Sequence, residues 1–189
     1  RIGILGDIGS GKSYFSRLFR HPRFDADAEV KKIYKNSRKV YLKIKKEFPK
    51  KISSFPVKKL DLSKIILEDK NNIKQINKIV HKEVNKKLVR FLNKNKKKDF
   101  VVLDIPLLIE NKINKRGDIL IFIDAKKKDI TKHLLKRGYF NKHLLRSLKK
   151  FQLPLERKKR ISDFVIKNYF KRNNFQKEIK TIKKKIKYA

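Results

Sequence analysis

Two kinds of apolar pattern alternate along the chain, and the alternation predicts its architecture. Ile2-Gly3-Ile4-Leu5 is a short apolar run, a glycine-rich stretch from Gly6 to Gly11 follows, and from Lys12 onward Phe15, Leu18 and Phe19 recur at helical spacing. This reads as strand, glycine loop, helix. From about Ala28 to Asn95 the pattern is mainly helical. Val30, Ile33, Tyr34, Val40, Tyr41 and Ile44 recur at steps of three and four, and after a break across Phe48-Pro49 to Phe55-Pro56 the spacing resumes through Ile65, Ile73, Ile76, Val80, Val84 and Leu88. Phe100-Val101-Val102-Leu103 and Ile119-Leu120-Ile121-Phe122-Ile123 are continuous apolar runs, each stopped by an aspartate. Unbroken runs suit parallel strands buried on both faces. A helix through Ile130, Leu134 and Leu135 follows, then a cationic stretch over Lys136 to Lys150. Phe164-Val165-Ile166 is a last short strand, and a Lys-rich amphipathic helix carrying Phe175, Ile179, Ile182 and Ile186 closes the chain. Helices alternating with buried strands predict an α/β doubly wound parallel sheet, with the helical stretch as a subdomain of its own.

Composition changes this picture only in places. The 189 residues suffice for one α/β domain with a small subdomain. With no cysteine, disulfides and thiolate metal sites are excluded. No apolar run reaches the roughly 18 residues of a membrane span, so a soluble, cytoplasmic protein is expected. Arg1 already stands at the edge of an apolar run, and a few residues upstream of it are expected. There are 55 Lys and Arg against 18 Asp and Glu, a formal charge of +37. Such a balance suits a polyanionic partner. The lysines, however, are spread over nearly every segment and accompany abundant Ile and Asn with only four alanines, as compositional drift would produce. No specific nucleic-acid partner is expected. The charge bears on attraction of anionic substrates.

The strongest chemical signal is Gly6-Asp7-Ile8-Gly9-Ser10-Gly11-Lys12-Ser13, which fits the Walker A pattern in full. Glycines let successive backbone N–H groups turn inward as an anion nest, and the following helix N-terminus adds partial positive charge. Lys12 is placed to reach the β- and γ-phosphates, and the Ser13 hydroxyl to hold Mg²⁺. At ordinary residue frequencies a chain this size would match by accident on the order of once in a hundred. Four of its six glycines fall within the first eleven residues, and the flanking strand and helix are those the motif requires. The loop alone does not separate a kinase from a GTPase or a motor. No Asn-Lys-x-Asp run follows a strand, and the chain is short for a helicase or transporter core. A helical insertion plus late cations has the layout of a small-molecule kinase.

Further motifs sharpen this. Phe24-Asp25-Ala26-Asp27, His81, the run Val102-Leu103-Asp104-Ile105-Pro106-Leu107-Leu108-Ile109-Glu110-Asn111-Lys112, Gln152-Leu153-Pro154-Leu155-Glu156 and Asp163-Phe164-Val165-Ile166-Lys167-Asn168 follow the loop in order. With it, they resemble the dephospho-CoA kinase family nearly end to end. The resemblance implies transfer of the ATP γ-phosphoryl to the ribose 3′-hydroxyl of dephospho-CoA. It implies a kinase core over 1–27 and 96–189 with a lid over about 136–155, and an acceptor-binding helical subdomain over 28–95. ATP would be held by Gly9, Ser10, Gly11, Lys12, Ser13 and Tyr14. Asp27 is implied as the base, a carboxylate that accepts the hydroxyl proton as phosphorus is approached, and Arg137 as a lid cation acting with Lys12. Asp25, His81 and Pro106 would join Asp27 at the acceptor, and Asp25 or Asp104 could assist Ser13 with Mg²⁺. On residue chemistry alone, Asp25 and Asp27 also suit a helix-capping pair, His81 a packed or exposed helix position, and Asp104 a cap for the turn before Pro106. A monomer is expected.

The chain also departs from the family. Lys82 stands where His81 would be followed by proline, the span from Phe19 to Asp25 is short, Leu148 stands where a second lid arginine is usual, and Asp7 puts a negative charge in the phosphate loop. Another small-molecule kinase, such as one acting on nucleoside monophosphates, shares the same ATP site. A basic nucleic-acid-binding protein that has kept a phosphate loop is the reading from a different class.

Overall fold

The computed structural model describes residues 1–69, 71–136, 149, 151–171 and 175–187. The chain divides into two compact units, one of residues 1–25 with 98–189 and one of residues 26–97.

The first unit is built on five parallel strands: β1 (Ile2–Gly6), β2 (Arg23–Asp25), β3 (Val102–Asp104), β4 (Ile119–Ala125) and β5 (Phe164–Asn168), in the order β2-β3-β1-β4-β5. The register places Ile2 opposite Val102 on one side and Ile119 on the other, so β1 lies at the centre, buried throughout. That burial is why β1, β3 and β4 read as unbroken apolar runs. Alternate β1 side chains serve opposite faces. Ile2 and Ile4 join Phe15 and Phe19 of α1 (Lys12–Leu18, with Phe19 as its cap) and Phe175, Ile179 and Ile182 in one buried cluster with Val102, Ile121, Ile123 and Ile166. Phe15 meets Phe19 and Phe175 edge to face, with ring centroids 5.3 and 4.9 Å apart. On the other face, Gly3 leaves room for Leu108. A Cβ there would come within 2.5 Å of the leucine Cδ2.

Two features differ from the sequence pattern. The strand expected over Phe100 to Leu103 pairs as Val102–Asp104, because the ladder begins where Val102 N–H donates to Pro22 O at 2.9 Å. Phe100 packs on the core without joining the ladder. The pattern predicts no strand at Arg23–Asp25, where one apolar residue stands among charged neighbours; pairing of Phe24 with Leu103 makes it β2.

The second unit is helical: α2 (Ala26–Asn36), α3 (Arg38–Glu47), α4 (Lys59–Glu68) and α5 (Asn72–Lys94). Ile76, Val80, Val84 and Leu88 bury one stripe of α5 at four-residue steps, and Ile33, Val40, Ile44 and Ile65 are buried on the other three helices. Ser37 caps α3 by accepting the Val40 N–H. The break between α3 and α4 is pinned at Asp61, whose Oδ2 accepts both the N–H (3.0 Å) and the hydroxyl (2.8 Å) of Ser53. The first unit continues with α6 (Lys127–Lys136), α7 (Leu155–Arg160) and α8 (Gln176–Lys187). α7, with a lone leucine in a charged run, is a helix the pattern does not predict.

Candidate active site

Because all five strands run parallel, their C-terminal ends share one edge of the sheet, where loops are free to hold a ligand. Polar residues stand there: Asp25, Asp104, Asn168 and, one residue before the end of β4, Asp124. The Gly6-to-Gly11 loop leaves β1 at the same edge.

The loop has the backbone its glycines were expected to allow. Gly9 and Gly11 have φ of +81° and +97°, a region that only glycine enters without strain. Gly11 caps α1, and a Cβ on it would meet Asn168 Nδ2 at 2.5 Å. Asn168 explains the close approach. Its Nδ2 donates to Ser10 O at 2.7 Å and its Oδ1 accepts the Phe170 N–H, so the end of β5 holds the loop from below. Lys12 Nζ lies within the loop and donates to the carbonyls of Asp7 (2.7 Å) and Gly6 (3.2 Å). The ammonium is curled onto its own loop. Ser13 is exposed in the first turn of α1, and Tyr14 is partly exposed beside Phe175. Ser10, by contrast, is fully buried, and its Oγ has no hydrogen-bond partner among the described residues.

Next to the loop, Asp25 and Asp104 face each other in register across β2 and β3. Arg23 Nη1 donates to Asp25 Oδ2 at 2.8 Å and to Asp104 Oδ2 at 2.9 Å, and Ser16 of α1 donates to the same Asp104 oxygen at 3.1 Å. The contacts of Asp104 Oδ2 therefore run to α1 and β2. No signal in the sequence marks Arg23 as their partner. Pro106 is exposed in the turn after β3. Beyond that turn, Glu110, partly buried, ties down Leu153 and Lys158. Its Oε1 accepts the Leu153 N–H at 2.9 Å and lies 2.6 Å from the ammonium of Lys158, which is 1% exposed. Burial opposes the Glu110 charge, but the Lys158 ammonium and the N–H groups of Glu110 and Leu153 hold its carboxyl below the usual range.

Of the residues expected at the acceptor, Asp27 is exposed in the first turn of α2, two residues beyond Asp25, and His81 is on the exposed face of α5. Arg137, Leu148 and most of the expected lid lie outside the described residues. The residues present fit a divalent cation of the kind that takes few protein ligands. The Ser13 hydroxyl is accessible and two carboxylates stand at the same edge, although among the described residues no three His, Asp or Glu side chains gather as a metal cage.

The chain is similar to known proteins over most of its length. A family model described as dephospho-CoA kinase matches residues 1–174. The dephospho-CoA kinase of Wolbachia from Brugia malayi is 32% identical over 186 residues, 96% of this chain and 95% of its own. That of Wolbachia pipientis wMel is 34% identical over 87% of each chain. Among solved structures, TT1252 from Thermus thermophilus superposes with a TM-score of 0.78 at 24% identity, covering 97% of this chain and 96% of its own. A dephospho-CoA kinase from Campylobacter jejuni gives 0.67 at 19% identity, covering 98% and 96%. At these identities the solved structures establish the parallel α/β fold.

Proposed function

This chain belongs to the dephospho-CoA kinase family, and from that premise we propose how its residues divide the transfer of the ATP γ-phosphoryl to the ribose 3′-hydroxyl of dephospho-CoA. The observation that carries the reading is the Lys12 ammonium held inside a loop bent by Gly9 and Gly11.

The loop amides and the start of α1 bind the ATP phosphates, with Gly9 to Tyr14 as the cradle. Lys12 exchanges its two carbonyl contacts for the β- and γ-phosphate oxygens and offsets the charge that develops on them. Mg²⁺, held by Ser13 and the phosphates with Asp25 or Asp104 in support, would supply further neutralisation of that charge. Asp27 accepts the proton of the acceptor hydroxyl, which is a poor nucleophile while protonated. It stands exposed in the first turn of α2, open to a substrate hydroxyl. Asp25 and Pro106 form the acceptor side of the sheet edge, and His81 contributes from the helical unit (residues 26–97), which binds dephospho-CoA. Arg137 adds a lid cation. The same reading has the enzyme working as a cytoplasmic monomer.

The acceptor is tested by coupled ADP release with dephospho-CoA and with each nucleoside monophosphate. Dephospho-CoA is expected to be the preferred acceptor by orders of magnitude in kcat/KM. A nucleoside monophosphate preferred over it would overturn the assignment while leaving the ATP site intact.

A further inference from the structure

Asp7 places a carboxylate inside a loop that receives a polyanion, and the structure shows what that carboxylate does. Its side chain is 8% exposed. Oδ1 accepts the adjacent Ile8 N–H at 2.7 Å, and Oδ2 is 2.6 Å from the Lys149 ammonium, contributed from 142 positions along the chain. The carbonyl of the same residue accepts the Ser10 N–H at 3.1 Å and the Lys12 ammonium at 2.7 Å. Residue 7 thus holds two ammonium groups at the phosphate loop, one on its backbone and one on its side chain.

Lys149 is also held from its own side. Its carbonyl accepts the Gln152 N–H at 3.0 Å, and the next residue, Leu153, is fixed to Glu110 and through it to the buried Lys158. Lys149 is therefore tied on two sides, by its carbonyl to Gln152 and by its ammonium to Asp7. An exposed lysine free in water would spend little time at one point, since its flexible stem loses entropy when fixed. Two anchors remove much of that freedom before any nucleotide arrives.

We propose that Asp7 and Lys149 act as one unit in ATP binding. Asp7 is a positioning residue that seats the Lys149 ammonium beside Lys12 as a second cation for the terminal phosphates, and Lys149 in turn cancels the charge Asp7 brings to the loop. The proposal rests on the phosphate-loop reading and is independent of the acceptor's identity.

The test is a binding cycle with a fluorescent ADP analogue and unlabelled ATP, ADP and AMP as competitors, on the wild type, Asp7→Asn, Lys149→Met and the double variant. Asp7→Asn keeps an acceptor for the Ile8 N–H, and Lys149 is exposed enough to replace without loss of fold, which thermal midpoints check. Lys149→Met is expected to weaken ATP and ADP about tenfold, the loss of one charge-assisted contact. AMP should change far less, and the KM for dephospho-CoA should stay as it is. Asp7→Asn should weaken ATP and ADP severalfold because Lys149 loses its seat, Lys149→Arg should retain most affinity, and the double variant should be no weaker than Lys149→Met. Losses that multiply in the double variant, or tighter binding by Asp7→Asn, would refute the coupling. A wild type that binds no ADP analogue would instead remove the phosphate-loop reading itself.

Discussion

At the residue scale, the proposed roles divide into phosphate binding and proton acceptance, and substitution separates them. Lys12→Ala removes the ammonium that lies on Asp7 and Gly6, and transfer should fall below detection. Asp27→Asn keeps size and hydrogen bonding but loses basicity. In steady-state kinetics it should lower kcat by about 10²-fold or more, the scale of general base catalysis, with ATP affinity changed less than threefold. Equal losses in kcat and ATP affinity would make Asp27 a structural residue. The loop lysine and glycines were legible in the sequence because their spacing is itself the geometry of a phosphate nest. Arg23 and Asn168 were not legible as site residues. What they do depends on β2 and β5 bringing them to Asp25, Asp104 and Ser10.

At the element scale, α7 shows what charge patterning hides. Leu155–Arg160 carries four cations in six residues and reads as solvated surface, yet Lys158 is buried on Glu110. Removing one partner of such a pair leaves an unpaired buried charge, so Lys158→Met should destabilise by about 3–5 kcal/mol in urea unfolding, and Glu110→Gln in the same chain should recover much of it. The pH dependence has a definite sign. In the wild type the lowered Glu110 value means the pair stabilises above about 4.5, the ordinary glutamate value, and this is lost as pH falls through the native value. Without Lys158, burial, the largest effect on the Glu110 carboxyl, would be opposed by only the two N–H groups, and the native state would then bind the extra proton more readily. The deficit of Lys158→Met should therefore shrink from pH 7 to pH 5. A deficit that grows over that range would show that Lys158 does not govern Glu110. The final helix has a related tie: Lys183 of α8 donates to the Phe19 carbonyl at the end of α1 at 2.7 Å, where a helix C-terminus favours a cation.

At the scale of the whole molecule, the charge of +37 is the feature most easily over-read. It should produce unselective retention of nucleic acid at low salt that disappears by physiological ionic strength, because exposed lysines bind phosphates mainly through counterion release. Filter binding of duplex and single-stranded DNA at two salt concentrations measures this. Saturation below micromolar at the higher salt would assign a nucleic-acid role that the family does not require.

The sequence by itself determined that this chain builds a parallel α/β sheet around a phosphate loop, because buried strands, helical stripes and glycine spacing are local patterns that each segment carries alone. The resemblance carried by the Asp25-Ala26-Asp27 and Asp104-to-Glu110 runs extended that to the family. Only the tertiary structure decided the order β2-β3-β1-β4-β5, the existence of β2, and the pairs Asp7–Lys149, Arg23–Asp104 and Glu110–Lys158. Each of those joins segments distant in the chain, and in a sequence with 55 cations no local pattern says which lysine or arginine will meet which carboxylate. Asp7, a misplaced charge when read in line, becomes a seat for Lys149 once the fold brings the two together.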